Sequence, residues 1–99
     1  MTRHGAKQAL LLGWYLLLPD FNTKSEHPSG GFMAATDRPL GEWGKLGVFD
    51  TAKECEKAQA WHIRAVGEEA QQSPSLTTKS ERNRHEASEC IASDDPRLK

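Results

Sequence analysis

The sequence lacks an excess of charge of either sign. Thirteen lysines and arginines stand against 14 aspartates and glutamates, so the net charge is -1 at pH 7. Proteins that bind nucleic acid normally carry a basic excess, and disordered solvating tails carry an acidic one. The balance argues against both classes, and we expect a protein partner of unknown identity and no nucleic acid.

Long hydrophobic runs are also missing. The longest apolar stretch, residues 9–18, has about ten residues, whereas a membrane-spanning helix needs about 20. Hydrophobic residues make up 36% of the 99 positions, and the mean hydropathy is -0.70. A chain of this length has room for one small domain, and this composition predicts that its core is thin.

Local motifs of several catalytic classes are absent as well. The chain has no C-x-x-C redox pair and no G-x-S-x-G nucleophile elbow. Gly30-Gly31 lacks the Lys-Ser/Thr partner of a phosphate-binding loop. His62 could act as a base, but no motif places a nucleophile near it. Asp94-Asp95 could bind a cation, but two carboxylates before Pro96 are more typical of a solvated turn. We therefore predict that the protein is not an enzyme and uses no cofactor.

Cysteine is scarce, and the two that occur, Cys55 and Cys90, lie 35 positions apart. In a small exported domain, two cysteines most simply form a disulfide, and closing a loop of that size should stabilise the fold by about 3–4 kcal/mol. Together with the two cysteines, His62 and His85 would supply the two sulfur and two imidazole ligands of a structural zinc site. However, six residues separate Cys55 from His62, where zinc modules usually have about two to five. The spacing favours the disulfide, and we predict no metal.

Residues 1–13 have the layout of an export signal, because Arg3 and Lys7 precede the apolar run. No small-x-small cleavage site follows, since Pro19-Asp20 ends the run. We predict a leader over 1–13, truncated or uncleaved, a single domain over 14–99, and a periplasmic or secreted location. Three alternatives stay open. Residues 10–18 could be signal throughout, the chain could be cytosolic with its first strand at Leu10, or an uncleaved run could hold it at a membrane as a small subunit of a larger complex.

The clearest element is a helix over about 51–70. Thr51-Ala52-Lys53-Glu54 fits a capping box, and Ser73-Pro74 stops the helix. One helix face carries Cys55, Ala58, His62, Ala65 and Val66. Short apolar segments at 14–18, 46–49 and 90–93 predict strands. We predict an α+β fold with a small antiparallel sheet, one main helix packed on it and a single disulfide, with polar loops at about 20–41 and 71–88.

Three tryptophans are the most suggestive side chains. In so small a domain, Trp14 and Trp43 are expected in the core, and Trp61, which flanks the apolar helix face, is expected to be partly exposed. A partner would contact an aromatic-bearing face or the glycine- and proline-rich loop at 21–41. The candidate partner-binding residues are Trp61, Phe32 and Trp43. The histidines of polar segments are expected to be exposed: His4, His27 and His85.

Four segments carry a resemblance to a known group. They are W-Y-L-L-L-P at 14–19, P-L-G-E-W at 39–43, G-V-F-D-T-A-K-E-C-E-K-A at 47–58, and C-I-A-S-D-D-P-R-L-K at 90–99. The set resembles small exported bacterial proteins that share a signal peptide, a W-Y-L-h-P opening, a G-x-F-D-[ST]-A-x-x-C block and a closing C-h-[AV]-[ST]-D-D-P-R-L segment. That group has no established activity. The resemblance therefore implies an exported disulfide domain and nothing catalytic.

Overall fold

The computed structural model describes residues 13–99, so the predicted leader lies outside the described residues except for Gly13. Its elements in chain order are the strands β1 (Trp14–Leu18), β2 (Phe21–Glu26), β3 (Phe32–Ala34) and β4 (Gly44–Phe49), the helices α1 (Ala52–Gln72) and α2 (Leu76–Glu86), and the strand β5 (Glu89–Ala92). Short 3-10 turns lie at Leu40–Glu42 and Pro96–Leu98. This is the α+β fold that the sequence predicts. Within residues 13–99 no helix combines the length and apolar character needed to cross a membrane.

The main sheet has the strand order β4-β1-β5, and both pairings are antiparallel. Its central strand β1 is covered on both faces, which explains why its five residues are all apolar rather than alternating with polar ones. Leu16 and Leu17 are both buried although they point to opposite faces. The strand stops before Pro19, which cannot donate to a ladder.

Helix α1 covers one face of this sheet. The hydroxyl oxygen of Thr51 accepts a hydrogen bond from the Glu54 amide at 3.1 Å, so Thr51 is the cap that the sequence predicts. Cys55, in the first turn, is fully buried and forms a disulfide with Cys90 in β5, with a Cα–Cα distance of 6.0 Å. The predictions of a main helix and of this crosslink are confirmed.

The opposite face of the sheet carries the hydrophobic core cluster of Leu17, Trp43 and Ile91. Leu40 and Leu98, from the two 3-10 turns, pack against it. The indole nitrogen of Trp43 donates to the carbonyl oxygen of Arg38 at 2.9 Å, so the buried ring leaves no unpaired donor.

The segment 71–88, predicted as a polar loop, is mostly helical, which corrects that prediction. Ser75 and Thr78 form a reciprocal capping box that begins α2. The residues that α2 buries are Ser80, Asn83 and His85, all of them polar. A polar composition predicts that such a segment stays disordered. The prediction is wrong here because the buried polar side chains form hydrogen bonds with another part of the chain.

The predicted loop at 20–41 is also corrected, since it contains the antiparallel hairpin of β2 and β3. Side chains of α2 fix this hairpin. The Asn83 amide donates to the carbonyl oxygens of Gly30 and Phe32, both at 2.9 Å. The Ser80 hydroxyl oxygen accepts from the Phe32 amide at 2.8 Å. The hairpin and α2 therefore order each other through polar contacts between distant parts of the sequence.

Candidate binding surface at the edge of β4

The three aromatic residues predicted to meet a partner lie in different surroundings. Trp61 is 59% exposed on α1, with its ring edge-on to His62 at 5.1 Å. Phe32 is half-buried in the hairpin beside Ser80. Trp43 is only 8% exposed and belongs to the core. Burial corrects the proposal of Trp43 as a contact residue and confirms the expectation that it lies in the core.

The four residues of the alternative zinc set form two separate pairs. Both sulfur atoms belong to the disulfide between Cys55 and Cys90. The rings of His62 and His85 stack at 5.9 Å. His85 is buried rather than exposed as expected, and its Nδ1 lies 2.9 Å from the Glu81 carbonyl oxygen. Across residues 13–99 there is no group of three or more His, Cys, Asp or Glu residues placed to hold a metal ion.

Of the two acidic residues near the C-terminus, Asp95 caps a turn. Asp95 accepts hydrogen bonds from the backbone amide and the guanidinium of Arg97, at 2.8 to 3.1 Å. These bonds, first from the side chain and then from the backbone, lower the pKa of the Asp95 carboxyl. The carboxylate thus serves the turn Pro96–Leu98. The expected turn before Pro96 is closed by the Asp95 amide, which donates to the Ala92 carbonyl oxygen at 3.0 Å.

Among residues 13–99, no strand pairs with the side of β4 that faces away from β1. The Ser93 amide donates to the Gly13 carbonyl oxygen at 2.8 Å, so the peptide groups of Gly13 point toward β5. Peptide groups of successive residues in a strand point to alternate neighbours. Those of Trp14 and Leu16 therefore point toward β4.

This alternation identifies the exposed backbone groups of β4. Phe49 pairs with Trp14, and Gly47 pairs with Leu16, so both residues bond to β1. Val48 lies between them, and its N–H and C=O groups point away from β1. Since β4 is the terminal strand of the sheet, these two groups lie at an open edge.

Val48 brings an exposed apolar side chain to this edge. Ile91, Tyr15 and Val48 form one row across the three strands. The exposed fraction rises along the row from 4% at Ile91, through a half-buried Tyr15, to 61% at Val48. Lys45 brings a positive charge to this row, since its Nζ lies 4.0 Å from the centre of the Tyr15 ring. The sheet is therefore well covered toward β5 and open toward β4.

A β-bulge limits the regular part of the edge. Leu16 pairs with Gly47 but Leu17 pairs with Lys45, so Leu46 is an extra residue in β4. Bulges and lysines are features that protect edge strands from indiscriminate pairing. The regular edge is therefore confined to residues 47–49, and pairing there must be short and selective.

An open cleft of about 350 Å³ adjoins the bulged end of β4. Its lining includes Lys45 and Leu46 from the strand, Asp20 and Glu42 from the neighbouring loops, and Arg84 from α2. The Arg84 guanidinium lies over the Phe21 ring at 4.5 Å and pairs with Glu81 at 3.0 Å. The cleft thus presents charges of both signs, which suits polar groups of a peptide better than a ligand of one charge.

No protein family, curated protein or solved structure matches this chain. The candidate surface therefore rests on geometry, and it combines the edge of β4 with the adjoining cleft. In the sequence, Leu46 and Val48 flank Gly47 in a strand pattern that predicts a shared face, but the bulge at Leu46 interrupts this alternation. That pattern does not indicate which side of the strand is unpaired, because this depends on the order of strands in the sheet.

Proposed function

We propose that this protein is an exported, non-catalytic binding or accessory domain that holds an extended segment of a protein partner along the edge of β4. The observation that carries the proposal is that the N–H and C=O groups of Val48 point away from β1, while the residue itself is 61% exposed. In strand addition, main-chain hydrogen bonds supply affinity and side-chain contacts supply selectivity. Val48 offers both kinds of contact at one position.

Export is supported by the crosslink between Cys55 and Cys90. Structural disulfides persist in oxidising compartments such as the periplasm or the extracellular space, and the basic-then-apolar order of residues 1–13 is typical of a signal. We also propose membership of the small exported bacterial proteins that the sequence resembles. The intact mass of the protein from its host tests export: we expect a shortened chain that is two daltons lighter than its dithiol form. A full-length chain with two free thiols would contradict it.

Binding at the β4 edge is tested by a photo-crosslinking amino acid placed at position 48 in the host cell. The matched control position is 57, because Lys57 is exposed on α1, on the opposite side of the helix from Cys55, which is joined to the sheet. We expect a discrete adduct from position 48 and none from position 57. The absence of an adduct at 48, or equal adducts at both positions, would contradict a binding role for this edge.

A further inference from the structure

We propose that the segment bound at this edge is β4 of a second copy of the chain, paired antiparallel about a two-fold axis at Val48. This inference rests on the proposed binding role of the edge and names its partner. A two-fold interface places the same surface on both partners, so each residue meets its counterpart reciprocally. The β4 edge is suited to that condition in its backbone, its apolar side chains and its charges.

The backbone condition is met at Val48. Its N–H and C=O groups both point outward, so two copies related at this residue exchange two hydrogen bonds, Val48 with Val48 of the second copy. Gly47 then lies opposite Phe49 of the second copy. This register uses the regular residues 47–49 and leaves the bulge at Lys45 and Leu46 outside the ladder.

The apolar condition is met by the row Ile91, Tyr15 and Val48. Pairing at Val48 joins the rows of both copies on one face, because residues directly opposite in an antiparallel pair share a face. The two three-stranded sheets become one sheet of six strands. The side chain that is 61% exposed in one copy is covered by its counterpart in the other.

The charge condition concerns Lys45 and Asp50. With Val48 at the axis, Leu46 and Lys45 follow one end of the ladder, where Asp50 of the second copy comes directly after Phe49. The interface therefore brings Lys45 of one copy near Asp50 of the other, once at each end. Among residues 13–99 neither Lys45 nor Asp50 forms an ion pair within one chain. A second copy supplies the opposite charge for both.

The contact is short, so the dimer should be weak and in equilibrium with the monomer. Association through β4 should also stop at two copies, because the two-fold pairing uses both β4 edges and leaves neither for a third chain. Lys45 and the bulge restrict other registers. The structure therefore predicts a closed dimer rather than open-ended association.

Sedimentation velocity of the disulfide-bonded protein from its host, at about 1 μM to 1 mM, tests this inference. We expect a monomer–dimer equilibrium. Val48→Pro removes the outward N–H without breaking a bond to β1, and should raise the dimer Kd at least about tenfold. The matched control Val48→Thr keeps the N–H and the branched side chain and should change Kd much less. All variants keep the same N-terminal residues, so association through the apolar run would not distinguish them.

A second variant keeps the test decisive if Val48→Pro does not fold. Val48→Lys leaves the backbone intact but places two like charges opposite each other at the axis, so it should also prevent dimerisation. A chain that stays monomeric at about 1 mM, or one whose dimer is unaffected by Val48→Lys, overturns the inference. If position 48 then forms crosslinks to a different protein, the binding edge stands and only the second copy is wrong. If it forms none, the proposed function fails as well.

Discussion

The imidazole rings of His62 and His85 stack across the contact between α1 and α2, with centroids 5.9 Å apart and planes inclined by 28°. His85 is buried, and its Nδ1 lies 3.6 Å from a carboxylate oxygen of Glu81. Burial, and to a lesser degree the charge of His85, lower the pKa of His62 below its ordinary value of 6.5. We therefore expect the packing of the two helices to be sensitive to acid.

The first prediction concerns pH. A base whose pKa is lower in the folded chain binds fewer protons there than when unfolded, so acid favours unfolding. The contribution of His62 to stability is complete above about pH 6.5 and falls as the pH drops toward the folded pKa. Urea unfolding at pH 7.5 and pH 5.5 should show a lower free energy at pH 5.5. His62→Gln should reduce that difference, and an unchanged difference would show that other groups cause it.

The second prediction concerns the disulfide. Cys55 and Cys90 close a loop across 35 positions, and the chain-entropy model gives such a crosslink about 4 kcal/mol of stabilisation. Replacing both residues by alanine should lower the free energy of unfolding by about that amount and leave no thiol to mispair. Chemical denaturation measures the loss. Adding a reductant should destabilise the natural chain and leave the double variant unchanged.

The main helix and the central strand could be predicted from the sequence because their signals are local. Thr51 caps α1 directly, and Ser73-Pro74 lies where the helix ends. The apolar run of β1 is closed by Pro19. Only one pairing exists for two cysteines, so the disulfide followed from their number and the expected compartment.

Helix α2 and the hairpin could not be predicted in the same way. Ser80 and Asn83 are buried, but their hydrogen-bond partners lie about 50 residues earlier in the chain. The local signal was a capping box of Ser75 and Thr78, in which threonine takes the place usually held by glutamate or glutamine. The edge of β4 also needed the order of strands, which no local pattern contains.

The third prediction concerns the hydrogen bonds of Asn83. Asn83→Asp keeps the shape but removes both N–H donors from the carbonyl oxygens of Gly30 and Phe32 and places a negative charge against them. The free energy of unfolding at pH 7 should fall by more than about 2 kcal/mol. Asn22→Asp is the matched control, because Asn22 uses its oxygen to accept from the Lys24 amide and aspartate preserves that bond. It should change stability by less than about 0.5 kcal/mol.

The fourth prediction separates the two tryptophans that were both candidate contact residues. Trp43→Ala removes a buried ring from the cluster with Leu17 and Ile91 and should cost about 3–5 kcal/mol. Trp61→Gln changes a ring that is 59% exposed and should cost less than about 1 kcal/mol. Denaturant unfolding of the two variants checks both values. Equal losses would contradict the difference in burial.

The fifth prediction compares two glycines whose replacement should have opposite effects. Gly31 has φ of 81°, and a Cβ there would lie 2.7 Å from the backbone nitrogen of Ser80, so Gly31→Ala combines backbone strain with a clash between the hairpin and α2. It should destabilise the fold by at least about 1–3 kcal/mol. Gly67 lies inside α1 with no heavy atom within 4 Å of a Cβ. Gly67→Ala should therefore stabilise the helix by about 0.5–1 kcal/mol. Thermal unfolding of both variants measures the two signs, and a neutral Gly31→Ala would show that the hairpin does not pack closely on α2.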